Sequence, residues 1–575
     1  MLHHLLKLAD ESEPGFAAEA IRWQIELSAE GKLIGVLPLG DGKRGELHRK
    51  IPKMHNMSAG GRAHFLVETA QTVALYFKDN EEDKKKETTG EKRSFYIELI
   101  KQAIAHSPHL EGIEAFLGNS HGLATLRDQL AAKGAKPSDW VKFVVAGKDP
   151  LADVTVLNWW RSWRNCDLAG SNASSSSSEM MVDLLTGDAI TPANTFPKVT
   201  GLMNVGGLPT GDVIAGFDKD AFQSYGLDQS KNAAMSEVTA RRCADAFSEL
   251  VRETGTKFAG ALVVHWFKER LQNMDDDPLP WLAGRESTEA QAAGAQIRAK
   301  ELLATIRKGQ RPDLANNHFY AMTVSGAAGR VMVRDWMEGA FETLVTNVDA
   351  WFDDLSIVAR DGNGLAREPK FMAVAGSLVR SLDELHAGIV SPLWRAALTR
   401  TAIPHTVLAQ ATSRFRVDVI NDDSANHARM GLLKAYFTRK GENHHMSAYL
   451  NPEHTDPAYH CGRLLAVLNG LQRSALGDVG AGVVQRYYTA ASQTPALIIG
   501  RLMSNAKNHL GKLDGGLAYW YEDKIADIMS RIRDSAPRTL DLEHQSLFAL
   551  GYYQQIAHDR AGKSNKTDST NHKGN

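Results

Sequence analysis

The stretch RVMVRDWMEGAFETLVTNVDAWFDDL, residues 330–355, decides how the chain divides. From Val331 to Leu355, Trp336, Phe341, Leu344, Val348 and Trp351 fall at the three- and four-residue spacing of a half-buried helix. Before about residue 330, short β-rich runs alternate with helical ones. VKFVVA (Val141–Ala146), VTVLNWW (Val154–Trp160) and ALVVHWF (Ala261–Phe267) have strand composition. Beyond that point β signals nearly vanish, and helical patterns recur at 376–390, 425–438, 459–476, 480–492, 494–511, 517–533 and 541–558. The expected class is α+β: a mixed α/β N-terminal region over 1–330, then an all-helical C-terminal bundle over 331–562. Residues 563–575 are polar and are expected to form a disordered tail.

A chain of 575 residues exceeds one compact core, so several domains are expected. Its 43% hydrophobic and 23% charged content is ordinary for a globular protein. No run of apolar residues is long enough to span a membrane. The start, MLHHLLKLADESEPG, lacks the basic segment and cleavage site of a signal peptide. Cys166, Cys243 and Cys461 lie far apart, which argues against a disulfide framework and fits a reducing, cytoplasmic setting.

A formal net charge of −2 conceals an uneven distribution. From Arg395 to Lys512, 14 Lys and Arg face seven acids. Between Lys43 and Arg62, six basic residues face only Glu46. Localised basic regions in a near-neutral chain suit polyanion contact; solvated basic helix faces would produce the same letters. Asp79–Arg93 has no apolar residue and reads as an exposed loop, the serine run within Ser171–Ser178 as a mobile one, and Asp275–Ser287 as a connection.

Enzyme motifs do not assemble. Gly118-Asn119-Ser120-His121-Gly122 matches G-x-S-x-G, but Ile113–Leu117 reads as a helix end rather than the strand a nucleophile elbow needs. A serine hydrolase using Ser120 is the enzymatic alternative. Gly35 and Gly40 are spaced like a phosphate loop, yet Asp41 stands where its lysine belongs. Histidines 3–4 and 444–445 show no zinc spacing, and Asp275–Asp277 could collect a divalent ion but reads rather as a solvated turn before a proline, so neither a catalytic residue nor a metal or other cofactor is expected.

Nucleic-acid signals are richer. His48-Arg49-Lys50-Ile51-Pro52-Lys53-Met54-His55-Asn56 leads into Gly60-Gly61-Arg62, offering cations to phosphates beside glycines that permit close approach. Asn158–Arg164 interleaves Trp159, Trp160 and Trp163 with Arg161 and Arg164, either to stack on bases or as core tryptophans with arginines reaching outward. Arg400, Arg414, Arg416, Arg439 and Lys440 suit a strand running over the helical region. In Gly216–Ala240, GFDKDAFQSYGLDQSKNAAMSEVTA, Phe217, Phe222 and Tyr225 read as apolar anchors among polar side chains, with a helix starting near Ser236. Gln223, Gln229 and Asn232 there either touch base edges or cap the loop's own backbone.

Four blocks, Gly60–Phe77, Gly216–Ala240, Arg330–Leu355 and Asp456–Gly477, resemble in order the large subunit of the type I-C CRISPR Cascade effector. Two departures stand out: Val67-Glu68-Thr69 replaces an aromatic-Asp-Asn cluster, and Asn232-Ala233-Ala234-Met235-Ser236 replaces Asn-Ala-Pro-Val-Ser. The resemblance implies a non-enzymatic subunit at the 5′ end of a guide RNA. It would read a protospacer-adjacent motif on double-stranded DNA, aid duplex opening and recruit a helicase–nuclease. Implied partners are the guide RNA, the target DNA and its displaced strand, and the Cascade backbone and 5′-end subunits. A small subunit from the same gene is also implied, starting at Met446 or Met430. Arg49, Lys50, Lys53, Asn56 and Arg62 would then meet the guide end or motif duplex. A purely structural scaffold is the third reading.

Overall fold

The computed structural model describes residues 1–571 except 10–12, 14, 41–44, 55–56, 58–59, 79–80, 173–179, 285–293, 422–424, 442–445 and 533–535. Side chains at 168–172 and 562–571 are likewise outside the description. Asn56, the serines at 174–178 and residues 572–575 of the expected tail therefore fall outside it, whereas the backbone of 563–571 continues a helix.

The chain forms two compact units, residues 1–199 with 213–249, and 200–212 with 250–575. The expected division at 330/331 differs from this one: the strands between Thr256 and Ala340 fall in the second unit, with the C-terminal helices.

In the first unit, strands β1 (Phe16–Ile21) and β4 (Glu46–Pro52) form an antiparallel ribbon with a bulge between Ala17 and Glu19. A second sheet has the order β3-β2-β6-β5, from Leu33–Pro38, Trp23–Leu27, Trp140–Val145 and Val67–Thr69. Only β2 and β6 run parallel in it. Helices α1 (Asp83–Ala103), α2 (His109–Leu117) and α3 (Ser120–Ala132) contribute Tyr96, Phe116 and Leu126 to its core, where they join Ile25 and Phe143.

Two local expectations fail here. Val154–Trp160 is not a strand but the start of helix α4 (Val154–Asn172). Asp153 accepts the Thr155 N–H at 2.9 Å as an N-cap, and Val156, Trp160 and Arg164 are buried at four-residue intervals. Helical periodicity thus overrides the β-branched composition. Asp79–Arg93 is not wholly a loop, since α1 begins at Asp83. Its polar first turns reach beyond the core and are braced by Lys85–Glu81 and Lys86–Asp83 pairs, whereas Tyr96, Leu99 and Ile100 anchor the later turns.

In the second unit, four strands pair antiparallel: β7 (Thr256–Phe258), β8 (Ala261–Phe267), β9 (His318–Ala327) and β10 (Arg330–Ala340). Ala328 and Gly329, both at positive φ, close the β9–β10 hairpin. Trp336 therefore belongs to a strand, paired with Met322, and the expected helix begins only at Phe341. From there the helical spacing holds: Phe341, Leu344, Val348 and Trp351 are fully buried along α5 (Phe341–Leu355).

The expected helix at 376–390 is replaced by α6 (Phe371–Gly376), a connection, and α7 (Ala387–Thr399). Within the connection, the Arg380 N–H donates to Glu384 and the Ser381 hydroxyl to Asp383, local bonds that compete with a helix. After α8 (His405–Ile420) and α9 (His427–Lys440), the C-terminal region is helical, as expected. Asp456 caps α10 (Pro457–Leu476), accepting the Ala458 N–H at 2.8 Å with Pro457 in the first turn. Around this largely buried helix pack α11 (Val483–Gln493), α12 (Pro495–Leu510), α13 (Gly515–Ile532) and α14 (Leu542–Asn571).

Candidate nucleic-acid interface

β4 lifts Arg49 and Lys50 to the surface of the first unit. Arg49 is 63% exposed and lies 3.5 Å from Glu249. Lys50 is exposed, and its charge helps hold Glu13 below the usual carboxylate range, behind the larger effect of Arg161. Lys53 is turned inward: its ammonium pairs with Glu19 and lies 4.5 Å from the Trp140 ring centre. Beneath it, burial pushes the His64 imidazole down to about 3. The neutral ring accepts the Met54 N–H at 3.0 Å and so fixes the chain leaving β4. Arg62 forms a two-point pair with Asp167 at 2.8 and 3.2 Å.

The tryptophan–arginine run on α4 is structural. Trp160 is fully buried, stacks on Phe65 and Trp163, and donates its indole N–H to the Gly15 carbonyl at 2.8 Å. Arg161 reaches Glu13, and buried Arg164 pairs with Glu237, so both cations brace neighbouring segments.

The Gly216–Ala240 loop is held by its own amides. Asn232 accepts the Ser224 N–H at 2.8 Å and donates to the carbonyls of Leu227 and Gln229 at 2.7 and 2.9 Å. Gln223 donates to the Phe217 carbonyl at 3.2 Å. Backbone capping is thus the present work of those two amides, whereas the Gln229 side chain is exposed. The helix expected near Ser236 spans Glu237–Glu253, with the Ser236 hydroxyl accepting the Thr239 N–H. Within that helix, burial pushes the Asp245 carboxyl up to about 6, against the pull of Arg241 and Lys53. Tyr225 is not an anchor: its side chain is completely exposed.

In the second unit most of the singled-out cations are paired. The Arg439 guanidinium is buried, donates to Asp354 at 2.7 Å and lies over the Trp351 ring. Arg414 meets Asp418 at 2.9 Å, a carboxylate shared with buried Arg429. Lys440 pairs with Glu543, and Arg416 is half-buried. Arg400 is exposed, in a left-handed conformation that closes α7.

The freer positive surface lies further on. Arg486, Arg501, Lys507 and Lys512 are exposed on or beside α11 and α12, and no acid occurs between Asp478 and Asp514. All four fall within the basic excess between Arg395 and Lys512. The uninterrupted lack of acids was the signal that could have found them.

No hydrolase elbow precedes Ser120: α2 and Gly118 lead into α3, whose N-cap Asn119 accepts the N–H groups of His121 and Gly122 at 3.1 Å. Buried His265 and Asp277 meet at 2.7 Å, and Asp277 also caps Leu279, which makes the pair a clasp between segments. Among the described residues, no three His, Cys, Asp or Glu side chains gather as a metal site, and no helix is long and apolar enough to cross a membrane.

Residues 5–558 match the model of a protein family described as CRISPR-associated protein (Cas_Csd1). That span covers nearly the whole chain and bears out the resemblance drawn from the four sequence blocks. No curated protein matches the chain.

Proposed function

We propose a specific role for this chain, which belongs to the CRISPR-associated protein (Cas_Csd1) family. It is the large, non-catalytic subunit of a type I-C RNA-guided surveillance complex in the cytoplasm. It recognises a protospacer-adjacent motif on double-stranded DNA, aids duplex opening and stabilises the displaced strand. A helicase–nuclease is then recruited to the opened target. Guide pairing reads the remaining sequence, so this subunit needs a motif contact and a sequence-blind strand contact.

The observation that carries this reading is the exposure of Arg486, Arg501, Lys507 and Lys512, all in a stretch of sequence without acids. Such cations suit a phosphate backbone without base readout. Exposed Arg49 and Lys50 on β4, with Gln229 in the amide-rich loop, are the candidates for the motif duplex or guide end. The internal start fits Met446 better than Met430. Met446 falls between α9 and α10, whereas Met430 lies inside α9. A product from Met446 would keep the bonds from Gln554 to the carbonyls of Ser447 and Ala448.

Salt titration of target binding by the complex assembled with guide RNA and backbone subunits tests the strand role. Neutralising the four cations together should weaken binding for every target sequence and flatten its salt dependence. An unchanged salt slope would contradict it.

A further inference from the structure

Ser224-Tyr225-Gly226-Leu227 forms a tight turn in which the Leu227 N–H returns to the Ser224 carbonyl at 2.9 Å. Both central residues have positive φ, +54° at Tyr225 and +71° at Gly226. That is the backbone of a type I′ turn, whose first central position favours Asn, Asp or Gly. Tyrosine is a poor turn former there and gains no burial in return, since its side chain is 100% exposed. The left-handed conformation is imposed by the surrounding loop. Asn232 binds the Ser224 N–H and the Leu227 carbonyl, gripping both ends of the turn.

The ring is therefore presented on a braced support and does no packing for the fold. A preset turn and a side chain with two rotatable angles lose little entropy on binding. The loop's charges oppose one another, with Lys219 and Lys231 beside Asp218, Asp220 and Asp228, so it is not built as a phosphate cradle. Partly exposed Phe222 and the exposed Gln229 side chain stand in the same loop. An exposed aromatic face and a neutral amide in one loop match the chemistry of a base, which offers a π surface and hydrogen-bonding edges.

We propose that Tyr225 stacks on an unpaired nucleobase, from either the guide RNA or the opened target DNA. The proposal rests on the functional reading above and names one contact within it.

The test uses the complete complex with wild-type chain, Tyr225→Ala or Tyr225→Trp, and measures target binding. Single abasic sites are placed in turn in the unpaired part of the guide RNA and in the DNA flank. Tyr225→Ala should weaken binding about 10-fold, Tyr225→Trp should restore it, and the salt slope should not move. At one abasic position the Tyr225→Ala loss should disappear, and the strand carrying that position identifies the source. Wild-type affinity for Tyr225→Ala would overturn the proposal. So would an equal loss at every abasic position, or failure of the Tyr225→Ala chain to enter the complex, which would assign the ring to a protein pocket. Absence of target binding by the wild-type complex would overturn the functional reading itself, and this contact with it.

Discussion

Gly462 and Gly551 face each other's helices across the α10–α14 crossing. A β-carbon on Gly462 would strike the Phe548 carbonyl, and one on Gly551 would strike the Tyr459 carbonyl. The two helices meet backbone to backbone, and the C-terminal bundle is organised around that contact. Gly462→Ala or Gly551→Ala should each destabilise the protein by about 1–3 kcal/mol, because neither backbone can yield cheaply. Gly500→Ala in α12, where nothing lies within 4 Å of the added carbon, should be neutral or slightly stabilising. Thermal denaturation of the three variants checks the contrast.

Asp245 makes stability depend on pH in a defined direction. Its folded carboxyl titrates at about 6 instead of 3.8, chiefly through burial, with Glu249 adding to the rise and Arg241 and Lys53 opposing it. Between those values the folded state holds a proton that the unfolded state has released. Stability from this group is therefore present at low pH and is lost as pH rises through about 6. Asp245→Asn should be the more stable protein at pH 7.5 by roughly 1 kcal/mol, allowing for solvent screening, and the difference should vanish below about pH 4. Chemical denaturation at the two pH values measures it.

Arg439 and the surface cations should fail in different assays. Removing Arg439 leaves Asp354 buried without its partner, so Arg439→Met should cost about 3–5 kcal/mol of stability. The combined Arg486, Arg501, Lys507 and Lys512 to Ala variant should keep its melting temperature. Its log–log salt slope for DNA binding should fall by about 3–4. Melting curves and salt titrations of both proteins separate the two roles.

Asn232 should act on the loop before it acts on DNA. Asn232→Ala removes bonds to Ser224, Leu227 and Gln229, at a local cost of about 1–3 kcal/mol. Hydrogen exchange at the Ser224 amide should accelerate while exchange in the core strands does not change.

Fold class was legible because hydrophobic periodicity is strong from Phe341 onward and in α10 to α14. It misled where one residue fitted two patterns. Trp336 continues the helical spacing by coincidence, yet its strand is tied to β9 by a turn at Ala328 and Gly329. Val154–Trp160 has the composition of a strand, but a cap at Asp153 and burial every fourth residue make it a helix.

The candidate site was less legible because ion pairs join residues remote in sequence. Arg439 meets Asp354 and Arg62 meets Asp167, pairings that no local count of charge reveals. Arg486, Arg501, Lys507 and Lys512 lie in a stretch without acids and are exposed, while Arg414 and Arg439 are paired.

The most direct measurement compares target binding by the assembled complex on two duplexes with the same guide-matched sequence and different flanks. The account predicts that changing the flank alone abolishes tight binding, and that exchanging Arg49 and Lys50 for alanine weakens binding to the preferred flank. Equal affinity for both duplexes would contradict motif reading and reduce the chain to a scaffold or strand holder.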